Sequence, residues 1–353
     1  MAKSATGIIG IAWLASCLTT SVGFADTLYP VFTDNFQNGS TVGGTSIPGG
    51  TPTASFTSYD IASSKNAFFS AIRSNTLRLT IPGTTSGFVE TQAVFSSTPI
   101  MLQSIGDVIN MRVTFVNVNN ILSAGGTNSY LFAGLYDSGT SPPLTNLATS
   151  GLNGASDSPY ATGGTQLWQG YVQRFAIPGG TNRSFVRPQQ TGTNTSSSNQ
   201  DLIGNSFGGG TYNNPTGGQL TDSSDVLPTQ SLLTVGGTYT LDYTLTLVDS
   251  STISLQSSLY DGIGLGGTVI ASLTQSATGT NFITSSFSGL AVGARYNHTT
   301  TNGAITMDIN NIAISTNVVP EPSALVPVTV GLGLGVWRLS RRQRASRAPT
   351  EEF

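Results

Sequence analysis

The chain has 353 residues, of which 9% are charged and one is cysteine, and its formal net charge is −3. Charge this sparse lies far below the roughly 25% of an ordinary soluble domain, so Ser, Thr, Asn and Gly must do the solvating. Between residues 26 and 317 there are eight basic and fourteen acidic side chains and no basic run, which excludes a nucleic-acid surface, since that needs a positive footprint.

Residues 1–25 read as a secretory signal peptide. Lys3 supplies the positive start, Gly7 to Leu18 the apolar stretch, and Gly23 and Ala25 the small residues before cleavage between Ala25 and Asp26. A competing signal is Leu14-Ala15-Ser16-Cys17, which resembles a lipobox and would place a lipid on Cys17. Either way the partners are the Sec export machinery and a signal peptidase. Cys17 is the only cysteine, so cleavage at Ala25 leaves a mature chain without disulfides, thiol catalysis or Cys-ligated zinc. Stability then rests on a hydrophobic core, for which residues 26–317 are long enough.

Strand periodicity dominates that ectodomain. Leu77, Leu79 and Ile81 alternate with Arg78 and Thr80; Met111, Val113 and Phe115 alternate with Arg112 and Thr114. Further strands are predicted at 87–95, 130–136, 166–175, 268–274 and 289–296. Tyr239 to Leu247 alternates strictly, turns at Asp249-Ser250-Ser251 and resumes at Ile253, which predicts a hairpin over 239–260. Ile305, Met307 and Ile309 share a face, but the pattern slips to Ile312 and Ile314, predicting a bulge at Asn310-Asn311. Residues 137–230 differ, being rich in Gly, Ser, Thr, Asn and Pro. Only Gln166 to Ile177 and Leu202 to Phe207 look ordered there; the rest reads as long polar loops on one edge of the fold rather than a second domain.

The fold class is therefore all-β, a two-sheet jelly-roll sandwich. Asp34-Asn35-Phe36 and Met307-Asp308-Ile309 resemble the ends of concanavalin-like sandwiches. That likeness implies that the first and last strands pair.

Candidate chemistry is thin. Glycoside hydrolysis needs two carboxylates about 5–10 Å apart, and Glu90 is the only Glu between 26 and 317, with Phe88 and Gln92 beside it on its strand face. His298 is the only histidine; it sits in a turn-like stretch, and no nucleophile-elbow motif accompanies it. No catalytic residue is assigned and no enzyme activity is expected. No metal site built on His or Cys is expected either. Calcium stays open, because it accepts Asp, Asn and backbone oxygens, as around Asn199 to Asp201 and Asp222 to Asp225. The candidate glycan contacts are Trp168, Tyr171 and Arg174: sugars stack on flat rings, and Arg donates to hydroxyls. Trp168 also fits a core position.

The tail is the most specific segment. Pro320-Glu321-Pro322 precedes an uncharged, Leu/Val/Gly-rich span, 323–337, followed by Arg338, Arg341, Arg342, Arg344 and Arg347. A span this short crosses a bilayer only with local thinning or adjustment of its flanks. Arginines behind it keep the C-terminus cytoplasmic and send the rest outside. In this order the features closely resemble the PEP-CTERM sorting signal of Gram-negative bacteria. The resemblance covers about 30 residues, 318–347, with 348–353 a short remainder. It implies processing near the motif by an exosortase, a membrane-embedded transpeptidase, after an inner-membrane-anchored stage. It also implies delivery to the cell surface or extracellular matrix, in a context of exopolysaccharide and biofilm. The expected function is a non-enzymatic surface or matrix protein; the alternative is a lectin-like carbohydrate-binding module, with extracellular polysaccharide as partner, and behind it a glycoside hydrolase.

Overall fold

The computed structural model describes residues 27–36, 59–63, 69–73, 76–81, 87–96, 98–119, 121, 129–139, 167–176, 182–189, 202–203, 218–220, 233–296 and 304–318. The signal peptide with its Ala25–Asp26 junction, the tail from 319 onward, His298 and the acidic stretches at 199–201 and 222–225 lie outside these residues. Among the described residues no helix is long and apolar enough to cross a membrane; the 323–337 span is not one of them.

Seventeen strands form among the described residues, numbered in chain order. One sheet holds β1 (Tyr29–Asp34), β3 (Phe69–Arg73), β4 (Thr76–Ile81), β7 (Val108–Asn119), β12 (Thr238–Asp249), β13 (Thr252–Asp261), β14 (Val269–Thr278) and β17 (Ile305–Thr316). Its order is β14-β13-β12-β7-β17-β4-β3, with β1 also beside β17. The second sheet runs β11 (Gly218–Gln219), β10 (Arg183–Arg187), β9 (Gln169–Ala176), β8 (Ser129–Asp137), β16 (Gly289–Tyr296), β5 (Gly87–Val94) and β2 (Tyr59–Ser63). Short strands β6 (Ile100–Met101) and β15 (Ser286–Phe287) pair separately.

The alternation seen in the sequence becomes the core. Leu241 lies opposite Val113, Tyr243 opposite Met111 and Leu245 opposite Ile109, and all six are buried. From the other sheet Leu131, Leu135, Tyr171, Phe175, Leu290 and Val292 join the same cluster. Burying each such large side chain contributes about 1.5–3 kcal/mol. On the outer face of the eight-stranded sheet, Arg78 grips Asp308 through two bonds of 2.6 and 2.5 Å, and Arg112 Nε donates to Asp242 at 3.1 Å. Partly exposed pairs of this kind contribute only about 0–1 kcal/mol, so the core dominates stability. Where β14 meets the second sheet, Gln275 Oε1 accepts the Ser184 N–H at 2.9 Å and Gln275 Nε2 donates to the Leu220 carbonyl at 3.2 Å. That amide closes the side of the sandwich.

Both irregularities predicted from sequence are present. The hairpin joins β12 to β13, and its turn is tied by the Asp249 carboxylate, which accepts from the Ser251 N–H at 2.8 Å. The slip falls between Ile309 and Asn311 against β7. It marks a change of neighbour: Ile305 to Ile309 pair with β4, whereas Ile312 to Thr316 pair with β1. The first and last strands thus pair, although β1 stops at Asp34. Phe36 follows with φ +56°, a left-handed conformation costing about 1–2 kcal/mol. Its ring is fully buried and its N–H bonds Asp34 Oδ1 at 2.8 Å, and that burial outweighs the strain.

Candidate functional site

The seven-stranded sheet is covered on both sides. Its inner face meets the main core. On its outer face a second apolar cluster gathers Val94, Phe132, Tyr136, Trp168, Val172, Phe185 and Ala291 beneath Leu202 and Ile203. The polar middle of the chain, expected largely as loops on one edge, supplies β9, β10 and β11 to one side of this sheet, and Leu202 and Ile203 pack over its outer face. Tyr136 Oη donates to the Leu202 carbonyl at 2.7 Å. Close approach is possible because glycines lie beneath. A Cβ on Gly289 would sit 2.6 Å from the Trp168 ring, and one on Gly293 would sit 2.7 Å from Ile203 Cδ1.

This placement corrects two of the three candidate glycan contacts. Trp168 is 1% exposed and Tyr171 0% exposed, so neither ring is available for stacking. Trp168 fills the second cluster beside Val172, with which it shares a face, rather than the space between the sheets. Tyr171 points the opposite way, into the core. Its hydroxyl donates to the Thr284 carbonyl at 3.0 Å and accepts from the Ile283 N–H at 3.1 Å. Burial pushes this hydroxyl up to about 12, the two backbone bonds acting against it.

Arg174 alone of the three reaches the outside. It is partly exposed on the outer face of β9. Its guanidinium lies 4.6 Å from the Tyr130 ring centroid and 5.2 Å from that of Phe185, within cation–π range. Two more arginines converge there through strand register. Arg183 is directly opposite Arg174 on β10, and Arg295 on β16 is opposite both Tyr130 and Phe88. Burial pulls the Arg174 guanidinium down to about 10, with a smaller push in the same direction from Arg183 and Arg295; it remains cationic at neutral pH. Of the eight basic residues between 26 and 317, Arg174, Arg183, Arg187 and Arg295 belong to this face. Arg187 is fully buried and donates to the Trp168 carbonyl. The other three form a partly exposed cationic group set among aromatic rings.

Glu90 lies on the same outer face, on β5, and is fully buried. Its Oε1 accepts from Gln92 Nε2 at 2.5 Å and from the Leu202 N–H at 2.9 Å. These bonds fasten the Leu202–Ile203 segment to the sheet. Among the described residues no cluster of three or more His, Cys, Asp or Glu side chains is arranged to hold a metal ion. Asn199, Asp201, Asp222 and Asp225, the candidate calcium ligands, lie outside the described residues. Asn182 is buried, and its Oδ1 takes the Ala176 N–H at 2.9 Å.

No protein-family model matches the chain, and no curated protein sequence does. Solved structures with a similar layout include lectins and a hydrolase. A peanut lectin bound to a nonapeptide is 10% identical with a TM-score of 0.37, covering 82% of this chain and 97% of that one. The carbohydrate recognition domain of Emp47p is 11% identical with a TM-score of 0.40, covering 84% and 99%. An endo-1,3-β-glucanase from Streptomyces sioyaensis is 11% identical with a TM-score of 0.39, covering 83% and 97%. Likeness at this level does not choose between binding and catalysis.

Proposed function

We propose that this chain is an exported, non-enzymatic surface or extracellular-matrix protein whose sandwich binds extracellular polysaccharide. The observation that carries the binding reading is the Arg174, Arg183 and Arg295 group, partly exposed beside Tyr130 on the outer face of the seven-stranded sheet. Guanidinium groups donate several N–H bonds in a fixed plane, and they favour acidic sugars over neutral ones through charge-assisted bonding. A polysaccharide bearing carboxylates or sulfates suits them best.

The absence of enzymatic activity stands as part of the proposal. It is supported by the state of Glu90, whose carboxylate is buried and engaged by Gln92 and Leu202. An acid or base for glycoside cleavage must reach its substrate. Turnover on a polysaccharide panel, lost in Glu90→Gln, would contradict this part.

Delivery follows from the tail. Pro320-Glu321-Pro322, the 323–337 span and the arginines from Arg338 onward make the chain an exosortase substrate in this proposal. It is anchored in the inner membrane with its C-terminus inside, then processed and released to the surface.

The test is a glycan array probed with the mature chain, with and without a chelator. Retention of acidic glycans in preference to neutral ones is expected. Loss of that retention on chelation would assign a calcium requirement, and retention of no glycan at millimolar concentration would overturn the binding reading.

A further inference from the structure

The end of the sandwich from which the tail departs carries its own row of exposed apolar side chains. At that end β17 finishes, β1 begins, and the turns flanking β7 and β12 come together. Tyr29 is opposite Thr316. Asn317 reaches the neighbouring turn through Nδ2, which donates to the Gly106 carbonyl at 2.9 Å, and through Oδ1, which accepts the Val108 N–H at 2.6 Å. Gly106 N–H in turn bonds the Leu247 carbonyl at 2.8 Å. These contacts fix Tyr29, Ile105 and Val248 along one rim, on adjacent strand ends. Their exposures are 49%, 76% and 45%. The opposite end carries comparable exposed side chains at Ile263, Leu265 and Val269, so exposure alone does not choose between the two ends; the course of the chain does.

Val318 is the last described residue; it packs against the core and its N–H bonds Thr316 Oγ1 at 3.1 Å. The apolar span begins at Ser323, five residues on. Five residues reach at most about 18 Å, while the headgroup layer on each side of the hydrocarbon is only about 5–8 Å thick. The rim is therefore held within a short reach of the bilayer whenever the span is inserted.

We propose that this rim is a membrane-contact surface: Tyr29, Ile105 and Val248 seat in the outer headgroup region of the bilayer while the protein is tail-anchored. The proposal rests on the reading of 323–337 as a membrane span. Tyrosine and aliphatic side chains are suited to that depth. The two acidic residues of the rim do not oppose it. Asp107 Oδ2 accepts from the Gln103 and Ser104 N–H groups at 2.7 and 2.8 Å, and Asp249 Oδ1 accepts from Ser251 N–H, so both serve their own turns. Seated this way, the sandwich stands upright and its outer sheet face, with the arginine group, stays in solution. The sorting motif is then brought to the membrane surface, where a membrane-embedded transpeptidase works.

The absence of cysteine after Cys17 makes the test direct. In the chain from Asp26 to Phe353, which keeps the tail and lacks the signal peptide, one cysteine is introduced as Ile105→Cys or as Ile263→Cys. Ile263 is 80% exposed in the turn after β13, at the opposite end. Each variant is labelled with an environment-sensitive fluorophore and reconstituted into phosphatidylcholine vesicles with or without a headgroup-nitroxide lipid. Co-flotation with the vesicles is scored separately. The expected result is several-fold quenching at 105 and none at 263. Co-flotation with position 105 as unquenched as 263 would overturn the membrane contact while leaving the span intact. Failure to co-float would overturn the span and the contact together.

Discussion

Tyr171 and Tyr243 illustrate how strongly the core acts on single groups. Both are fully buried between the sheets, and burial raises both hydroxyls, Tyr171 to about 12 and Tyr243 well above its ordinary value. In the unfolded chain these tyrosines ionise near pH 10. Between about pH 10 and about 12 the folded state therefore holds protons that the unfolded state releases, and stability must fall as pH rises through that window. Denaturant titrations at pH 9 and 11 are expected to give a lower midpoint at 11, with a smaller drop in Tyr171→Phe; an unchanged midpoint would mean that Tyr171 is not buried in the protonated form. Asn117 provides a second residue-scale case. Its Nδ2 serves the Ile121, Leu233 and Thr234 carbonyls and its Oδ1 takes the Ile121 N–H. Asn117→Ala leaves these buried groups without partners, at a cost on the order of 2–3 kcal/mol, measurable as a loss in melting temperature. Little of this was legible beforehand. Trp168 and Tyr171 are candidate ligand contacts by sequence because aromatic identity is visible there while burial on a particular face is not; for Trp168 the alternative of a buried position is the one the structure shows. Arg174 is a candidate by sequence and Arg183 and Arg295 are not, because only strand register brings residues 121 positions apart (174 and 295) to one spot.

Elements were easier to read than residues. Strict alternation fixes which side chains of a strand go inward, so β4, β7, β12, β13 and β17 were legible, as were the hairpin and the bulge. Residues 202–203 show how far that logic goes. Leu202 to Phe207 stands out as an ordered stretch in the polar middle, but two apolar residues carry no period, so the sheet face that Leu202 and Ile203 cover, held by Glu90 and Tyr136, is not legible. Gly293 permits this packing. Gly293→Ala would place a Cβ 2.3 Å from the Val89 carbonyl oxygen and 2.7 Å from Ile203 Cδ1. The overpacking is expected to cost about 1–3 kcal/mol and to loosen the Leu202–Ile203 segment. Faster amide exchange at Leu202 than at β12 positions would report it, and unchanged exchange would show that the segment is held independently of that glycine.

At the scale of the whole molecule, the proposed roles separate by place. The core supplies stability without disulfides, one rim faces the membrane, and the outer face of the seven-stranded sheet faces the matrix. Sorting is tested apart from binding: Glu321→Ala is expected to leave the protein in the inner membrane, and equal release of variant and wild type into the medium would contradict assignment of the tail as a sorting signal. The most direct measurement for the whole scheme is binding of the mature chain to an acidic polysaccharide such as polygalacturonate, compared with Arg174→Gln at equal melting temperature. Losing one charge-assisted contact weakens binding by roughly tenfold or more. Saturable binding by the wild type, weakened at least that far in Arg174→Gln and by added salt, is the expected result. Equal binding by both proteins, or none by either, would contradict it.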